Sequence, residues 1–125
     1  MLGYTCYNPS DEHGSCIART LTLLSGKPYP AVRAELDALA GALGFDTYTE
    51  TAVFEEYLAR LGFYPADGYT GVRMDALTLP AGRFCVICTD GAGFYHMLPV
   101  IDSVIYDRRN DSGALTVFRI YAEKT

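Results

Sequence analysis

The hydrophobic period of this chain changes at Gly82, and that change limits the folds open to it. Before Gly82, apolar residues recur every three or four positions, the spacing of one face of a helix. Residues 15–24 put Ile17, Leu21 and Leu24 on one face and stop at Gly26. Residues 30–43 open at Pro30, a favoured first-turn residue, and carry Val32, Leu36, Leu39 and Leu43 up to Gly44. A third helix begins near Thr49 or Thr51, repeats through Val53, Phe54, Tyr57 and Leu58, and ends at Gly62. A short helix over 72–77 is expected before Pro80-Ala81-Gly82. After Gly82, Arg83–Thr89, Tyr95–Ile101, Val104–Asp107 and 114–122 are rich in Val, Ile, Phe and Tyr and are separated by turn residues, as strands are. Residues 1–14 read as mixed polar and aromatic turns. Helices first and an antiparallel sheet second is an α+β order. The 125 residues are expected to form a single domain, 1–125, long enough to bury a core.

Cys16 sits where the polar Gly14-Ser15 gives way to the first helix. First-turn N–H groups and the helix dipole favour a thiolate there. They can also hold the oxyanion of a tetrahedral intermediate. A small buried hydrophobe is the other role open to a cysteine at this position. His96 lies at the start of an apolar strand pattern, and the next strand supplies a carboxylate. With Asp102-Ser103 as a two-residue turn, Ile101 pairs with Val104 and His96 with Arg109. Side chains alternate along a strand, so Asp107 falls on the His96 face, one diagonal step and roughly 7–8 Å away. Asp102 shares that parity but lies about 20 Å along the strand and reads as a turn residue. Asn110 falls on the opposite face. A three-residue turn or a bulge would bring it opposite His96, which keeps Asn110 as the reserve orienter. Cys16, His96 and Asp107 are the candidate catalytic residues.

Taken together, these motifs resemble a small family of phage and bacterial proteins with a papain-like cysteine peptidase fold. The residues that carry the resemblance are Tyr7-Asn8-Pro9, Cys16-Ile17-Ala18-Arg19, Tyr57-Leu58 through Gly62-Phe63, Gly82-Arg83-Phe84-Cys85-Val86, and His96 through Tyr106-Asp107. The resemblance implies a nucleophile helix packed on a C-terminal sheet. It also implies a hydrolase that cleaves a peptide or isopeptide-like amide through an acyl-enzyme, without a cofactor. Two alternatives keep the same cleft: a transglutaminase-like acyltransferase, and a catalytically silent domain that binds a host or phage protein. The family pattern has Gly where this chain has Tyr95, which either crowds the cleft or lines a substrate subsite. His13 is a second candidate for the cleft. Papain-like enzymes use a side-chain amide six residues before the nucleophile, where this chain has Ser10. Asn8 is therefore the candidate oxyanion donor, with a turn-forming Asn before Pro as the structural alternative.

The remaining features narrow the classes. Net charge is −5 and no basic stripe extends beyond Arg108-Arg109, which argues against nucleic acid. No apolar run approaches the roughly 20 residues of a membrane-spanning helix. Asp11 and Glu12 replace the basic-then-apolar order of a signal peptide, so the cytoplasm of the producing or infected bacterial cell is the expected compartment. Cys6, Cys16, Cys85 and Cys88 are expected to be reduced. In Cys85-x-x-Cys88, alternation sends the thiols to opposite faces of a strand, which argues against a metal site. Arg19 is expected near the Cys16 face in a structural ion pair. The Glu35/Asp37 and Glu55/Glu56 charges read as solvated helix faces.

Overall fold

The computed structural model describes residues 2–10 and 15–124. In chain order these form β1 (Gly3–Cys6), α1 (Cys16–Ser25), α2 (Tyr29–Leu43), α3 (Thr51–Leu61), β2 (Phe63–Pro65), a 3₁₀ turn (Met74–Ala76), β3 (Arg83–Thr89), β4 (Tyr95–Ile101), β5 (Val104–Asp107) and β6 (Thr116–Glu123). The architecture is α+β, with the three helices ahead of most of a six-stranded, mostly antiparallel sheet. Each helix ends where its period ends. At the first, Gly26 takes the left-handed φ of 72° and returns its N–H to Thr22 O, a conformation that costs a residue with a Cβ. The expected helix over 72–77 is only the short 3₁₀ turn.

The sheet order is β1-β5-β4-β3-β6-β2, and its two edges differ from the sequence reading. β1 lies within the segment read as turns, and it pairs parallel to β5 from Gly3 opposite Val104 to Cys6 opposite Asp107. β2 is a three-residue edge strand on β6, where Pro65 is tolerated because an edge leaves one side without a ladder. Neither edge has an alternating apolar pattern of its own. Both exist because a neighbour offers backbone partners.

Two apolar layers flank the sheet. On one face Leu21, Leu36, Val53, Leu58, Phe63 and Tyr121 join the helices to the strands. On the other, Met74, Leu77 and Leu79, from the segment between β2 and β3, pack on Val86, Leu98 and Ile120. β3 is covered on both sides, so its sequence is a continuous apolar run rather than an alternating one. Cys85 belongs to the helical layer and Cys88 to the other, the opposite-face placement that alternation required. The carboxylates expected to be solvated are exposed or half-exposed, and two of them also tie elements together. Glu35 bridges Lys27 and the Tyr57 hydroxyl, and Glu55 accepts from the Tyr121 hydroxyl at 2.5 Å.

The β4–β5 connection fixes the geometry that follows. Asp102 and Ser103 both have left-handed φ, 49° and 66°, and form the two-residue turn with Ile101 opposite Val104. Gly82 N–H donates to Asp102 Oδ1 at 2.9 Å, and Gly3 N–H donates to Ser103 O at 2.7 Å, so the turn is held from both sides. The ladder then runs only one more pair, Val100 with Ile105. The next outward-facing residue of β4 is Pro99, which has no N–H to give Tyr106. β5 leaves β4 at that point.

Candidate active site

With β5 gone, the edge of β4 beyond Pro99 is taken by α1. Thr20 Oγ1 donates to Met97 O at 3.2 Å, and the Met97 N–H donates to the sulfur of Cys16. Cys16 and Thr20 are one helical turn apart, so both face the same strand edge. A missing backbone donor at Pro99 thus opens the seam into which α1 docks. Cys16, Arg19, Thr20, Met97, Tyr106 and Asp107 meet along that seam.

Cys16 is the first residue of α1 and is partly buried. The hydroxyl of the preceding Ser15 does not cap the helix; it accepts from Arg19 Nη1 at 2.5 Å. The first-turn N–H groups are therefore not engaged by the Ser15 side chain. Arg19 itself is buried, at 7% exposure, with its charge close to Cys16.

His96 and Asp107 share a sheet face, as parity required. His96 Nε2 lies 2.7 Å from Asp107 Oδ2, and their side chains are 18% and 7% exposed. The other Asp107 oxygen accepts from the Arg108 N–H at 2.8 Å, which fixes the carboxylate plane. The Phe94 ring stacks on the imidazole at 6.4 Å between centroids, with 14° between planes. The second imidazole nitrogen is left for Cys16, with which His96 makes a side-chain hydrogen bond.

The electrostatics of the pair follow. Burial alone would raise the Cys16 pKa. The hydrogen bonds from His96 and the Met97 N–H, with the charges of His96 and Arg19, outweigh it and bring the thiol below its ordinary value. Burial alone would lower the His96 pKa, but the hydrogen bonds to Asp107 and Cys16 lift it to about 9. The favoured state is a thiolate beside an imidazolium. The two buried cysteines go the other way: burial raises both, Cys88 to about 12. The four cysteines are free thiols.

A groove of about 680 Å³ opens from Cys16 and His96, walled by Phe54, Phe94, Tyr95 and Phe118. Tyr95 and Phe118 meet edge to face at 5.0 Å, and both are exposed despite their size. Tyr95 therefore lines the cleft rather than blocking the thiol. Among the described residues the wall carries Arg19 and Arg119 and no carboxylate. On the far side of His96 a second opening of about 340 Å³ is bordered by Asp107, Arg108, Arg109 and Asp111.

Other sequence candidates are placed differently. Asn110 is exposed beyond the end of β5, and Asp107 alone of the two orienter candidates holds the imidazole. The expected His96–Arg109 pair does not form, because Pro99 ends the ladder first. Asn8 is exposed after β1 and is not among the residues lining either opening. His13 lies outside the described residues. Sequence reasoning missed the backbone of Met97, the role of Pro99, and the aromatic walls Phe94 and Phe118. The visible signal for the first two was a proline inside an otherwise continuous strand pattern two residues after Met97.

Among the described residues, no group of three or more His, Cys, Asp or Glu side chains is arranged to hold a metal ion. No described helix is long and apolar enough to cross a membrane. Comparison with known proteins gave no matching family model, no matching curated protein and no matching solved structure.

Proposed function

We propose that this domain is a papain-like cysteine hydrolase that cleaves a peptide or isopeptide-like amide through a Cys16–His96–Asp107 triad. The observation that carries the reading is the 2.7 Å His96–Asp107 hydrogen bond beside a Cys16 thiol at a helix N-terminus, whose pKa the neighbouring His96 lowers. The thiolate attacks the acyl carbon, and the first-turn N–H groups of α1 stabilise the oxyanion. The imidazolium gives its proton to the leaving nitrogen as the C–N bond breaks. Water, deprotonated by His96, then attacks the thioester and frees the thiol. Asp107 keeps the ring oriented and stabilises its charge. The substrate is a peptide or protein, met in the cytoplasm of the producing or infected bacterial cell.

The test is the pH dependence of iodoacetamide labelling at each cysteine, read by peptide mass spectrometry on the folded protein. Cys16 is expected to react well below the ordinary thiol value of about 8.5, ahead of Cys85 and Cys88. The imidazolium survives until the pH passes about 9, so turnover is expected to fall on the alkaline side there and on the acid side as Cys16 protonates. In His96→Ala the labelling limb moves up towards the ordinary thiol range. Equal rates in wild type and His96→Ala, or a Cys16 that is inert, would overturn the pairing.

A further inference from the structure

The triad residues do not border the two openings equally. Cys16 lines the aromatic groove and is absent from the border of the second opening. Asp107 borders the second opening and does not line the groove. His96 lines both, together with Arg19 and Phe94, so the openings share a wall and form one trough past the imidazole. An acyl group bonded to sulfur must stay on the Cys16 side. The leaving amine takes its proton from His96 and can depart on the Asp107 side. Each half of a substrate therefore meets a different surface.

Those surfaces differ in chemistry. The groove offers Phe54, Ile87, Phe94, Tyr95 and Phe118, with Thr49 and Thr51 at its polar margin. Among the described residues the charges on its lining are cationic, and Arg119 is already bonded to Glu55 at 3.5 Å. On the second side Asp107 is committed to His96, which leaves Arg108 and Arg109 facing the single carboxylate of Asp111. With Arg19 on the shared wall, the cations among the described residues exceed the carboxylates there by two.

We infer that the substrate has two unlike halves: a bulky aromatic side chain on the acyl side of the cleaved amide, and an anionic group on the amine side. This rests on the Cys16 acyl-enzyme reading. The step balances without a co-reactant other than water. The S–C bond forms as the C–N bond breaks, the imidazolium proton goes to the nitrogen, and water later replaces sulfur on the acyl carbon.

Two probe sets read the halves separately. Chloromethyl ketones of N-acetylated Phe, Gly, Asp and Lys carry an acyl-side group and no leaving amine. Their labelling rate at Cys16, divided by the iodoacetamide rate at the same pH, reports the groove. The Phe reagent is expected to lead the other three by roughly tenfold or more, and Phe118→Ser to shrink that lead severalfold. N-acetyl-Phe-Asp-amide, N-acetyl-Phe-Gly-amide and N-acetyl-Phe-Lys-amide report the other side through release of free amine. The Asp compound is expected to be cleaved fastest, and Arg109→Glu to reverse the order of Asp and Lys. If Cys16 labels fast with iodoacetamide at low pH but shows no Phe preference, the inference falls and the thiolate reading stands. A Lys compound cleaved fastest by wild type overturns the anionic half. If Cys16 labels only as an ordinary thiol, the reading beneath falls and takes the inference with it. Fast labelling with no amine release from any dipeptide overturns the hydrolase reading and the amine-side half together.

Discussion

The two halves of β4 present the same edge to different partners. At Val100 and Ile101 the edge is covered by a strand, through pairs with Ile105 and Val104. At Met97 it is covered by a helix, through the Cys16 sulfur and the Thr20 hydroxyl. Pro99 stands between them. In the first half the backbone groups are spent on sheet cohesion. In the second, a backbone N–H stabilises a thiolate, because a proline has kept the neighbouring strand from claiming it. Cys16 sits where sheet pairing is denied.

The strongest way to break this comparison acts on the helix-covered half. Asp107→Ala is expected to lower kcat/KM by roughly 10²–10⁴-fold, the usual worth of a positioned acid–base pair. Asp102→Ala and Asn110→Ala should each change it far less, although Asp102→Ala will loosen the turn at Gly82. A larger loss at Asn110 than at Asp107, measured with any cleaved peptide, would show that the diagonal pair is not the working one.

Pro99→Val sharpens the comparison by removing the boundary. The new N–H can pair with Tyr106, extend the β5 ladder and draw the edge away from α1. Amide exchange is expected to slow at residues 99 and 106, while Cys16 alkylation near neutral pH falls by about tenfold, the scale of one lost hydrogen bond to an anion. A longer ladder with unchanged alkylation would mean that the Met97 N–H contributes nothing to the thiolate.

The smallest effect is expected from Thr20→Val, which keeps the shape and removes the donor to Met97 O. Leaving a buried carbonyl without that bond costs about 1–2 kcal/mol, seen as a Tm lower by several degrees. The acid limb of Cys16 alkylation should barely move, because Thr20 bonds to the carbonyl and not to the sulfur. A large shift of that limb would show that the helix has undocked.

What was legible in the sequence follows from which interactions are local. Helix spacing depends on residues a turn apart, so Leu21, Leu36 and Leu58 were assigned to buried faces where the structure has them. The Asp107 diagonal was legible because a two-residue turn and side-chain parity fix it without knowledge of anything else. β1 and β2 were not, since Gly3–Cys6 and Phe63–Pro65 are strands only by virtue of distant partners. Asn8 is exposed after β1, and sequence spacing does not say where its amide reaches, because that depends on the path of a loop. Phe118 fell within a predicted strand and Phe94 just ahead of one, and neither was read as part of a cleft. Their convergence beside His96 comes from the pairing of β4, β3 and β6.

The parallel pairing of β1 with β5 has a consequence for the order of events during folding. The Tyr4 hydroxyl donates to Asp107 O across 103 positions of sequence, and the Tyr7 N–H donates to the same carbonyl. Contacts of that span close late, because the loop entropy must be overcome before any bond rewards it. The helices and the β3–β4 hairpin depend on far nearer neighbours. The His96–Asp107 pair spans only 11 positions across the β4–β5 hairpin, so it can form before β1 ties down the Asp107 backbone. On the proposed reading, the Cys16–His96–Asp107 group is complete only once α1, 80 positions before His96, has docked on β4.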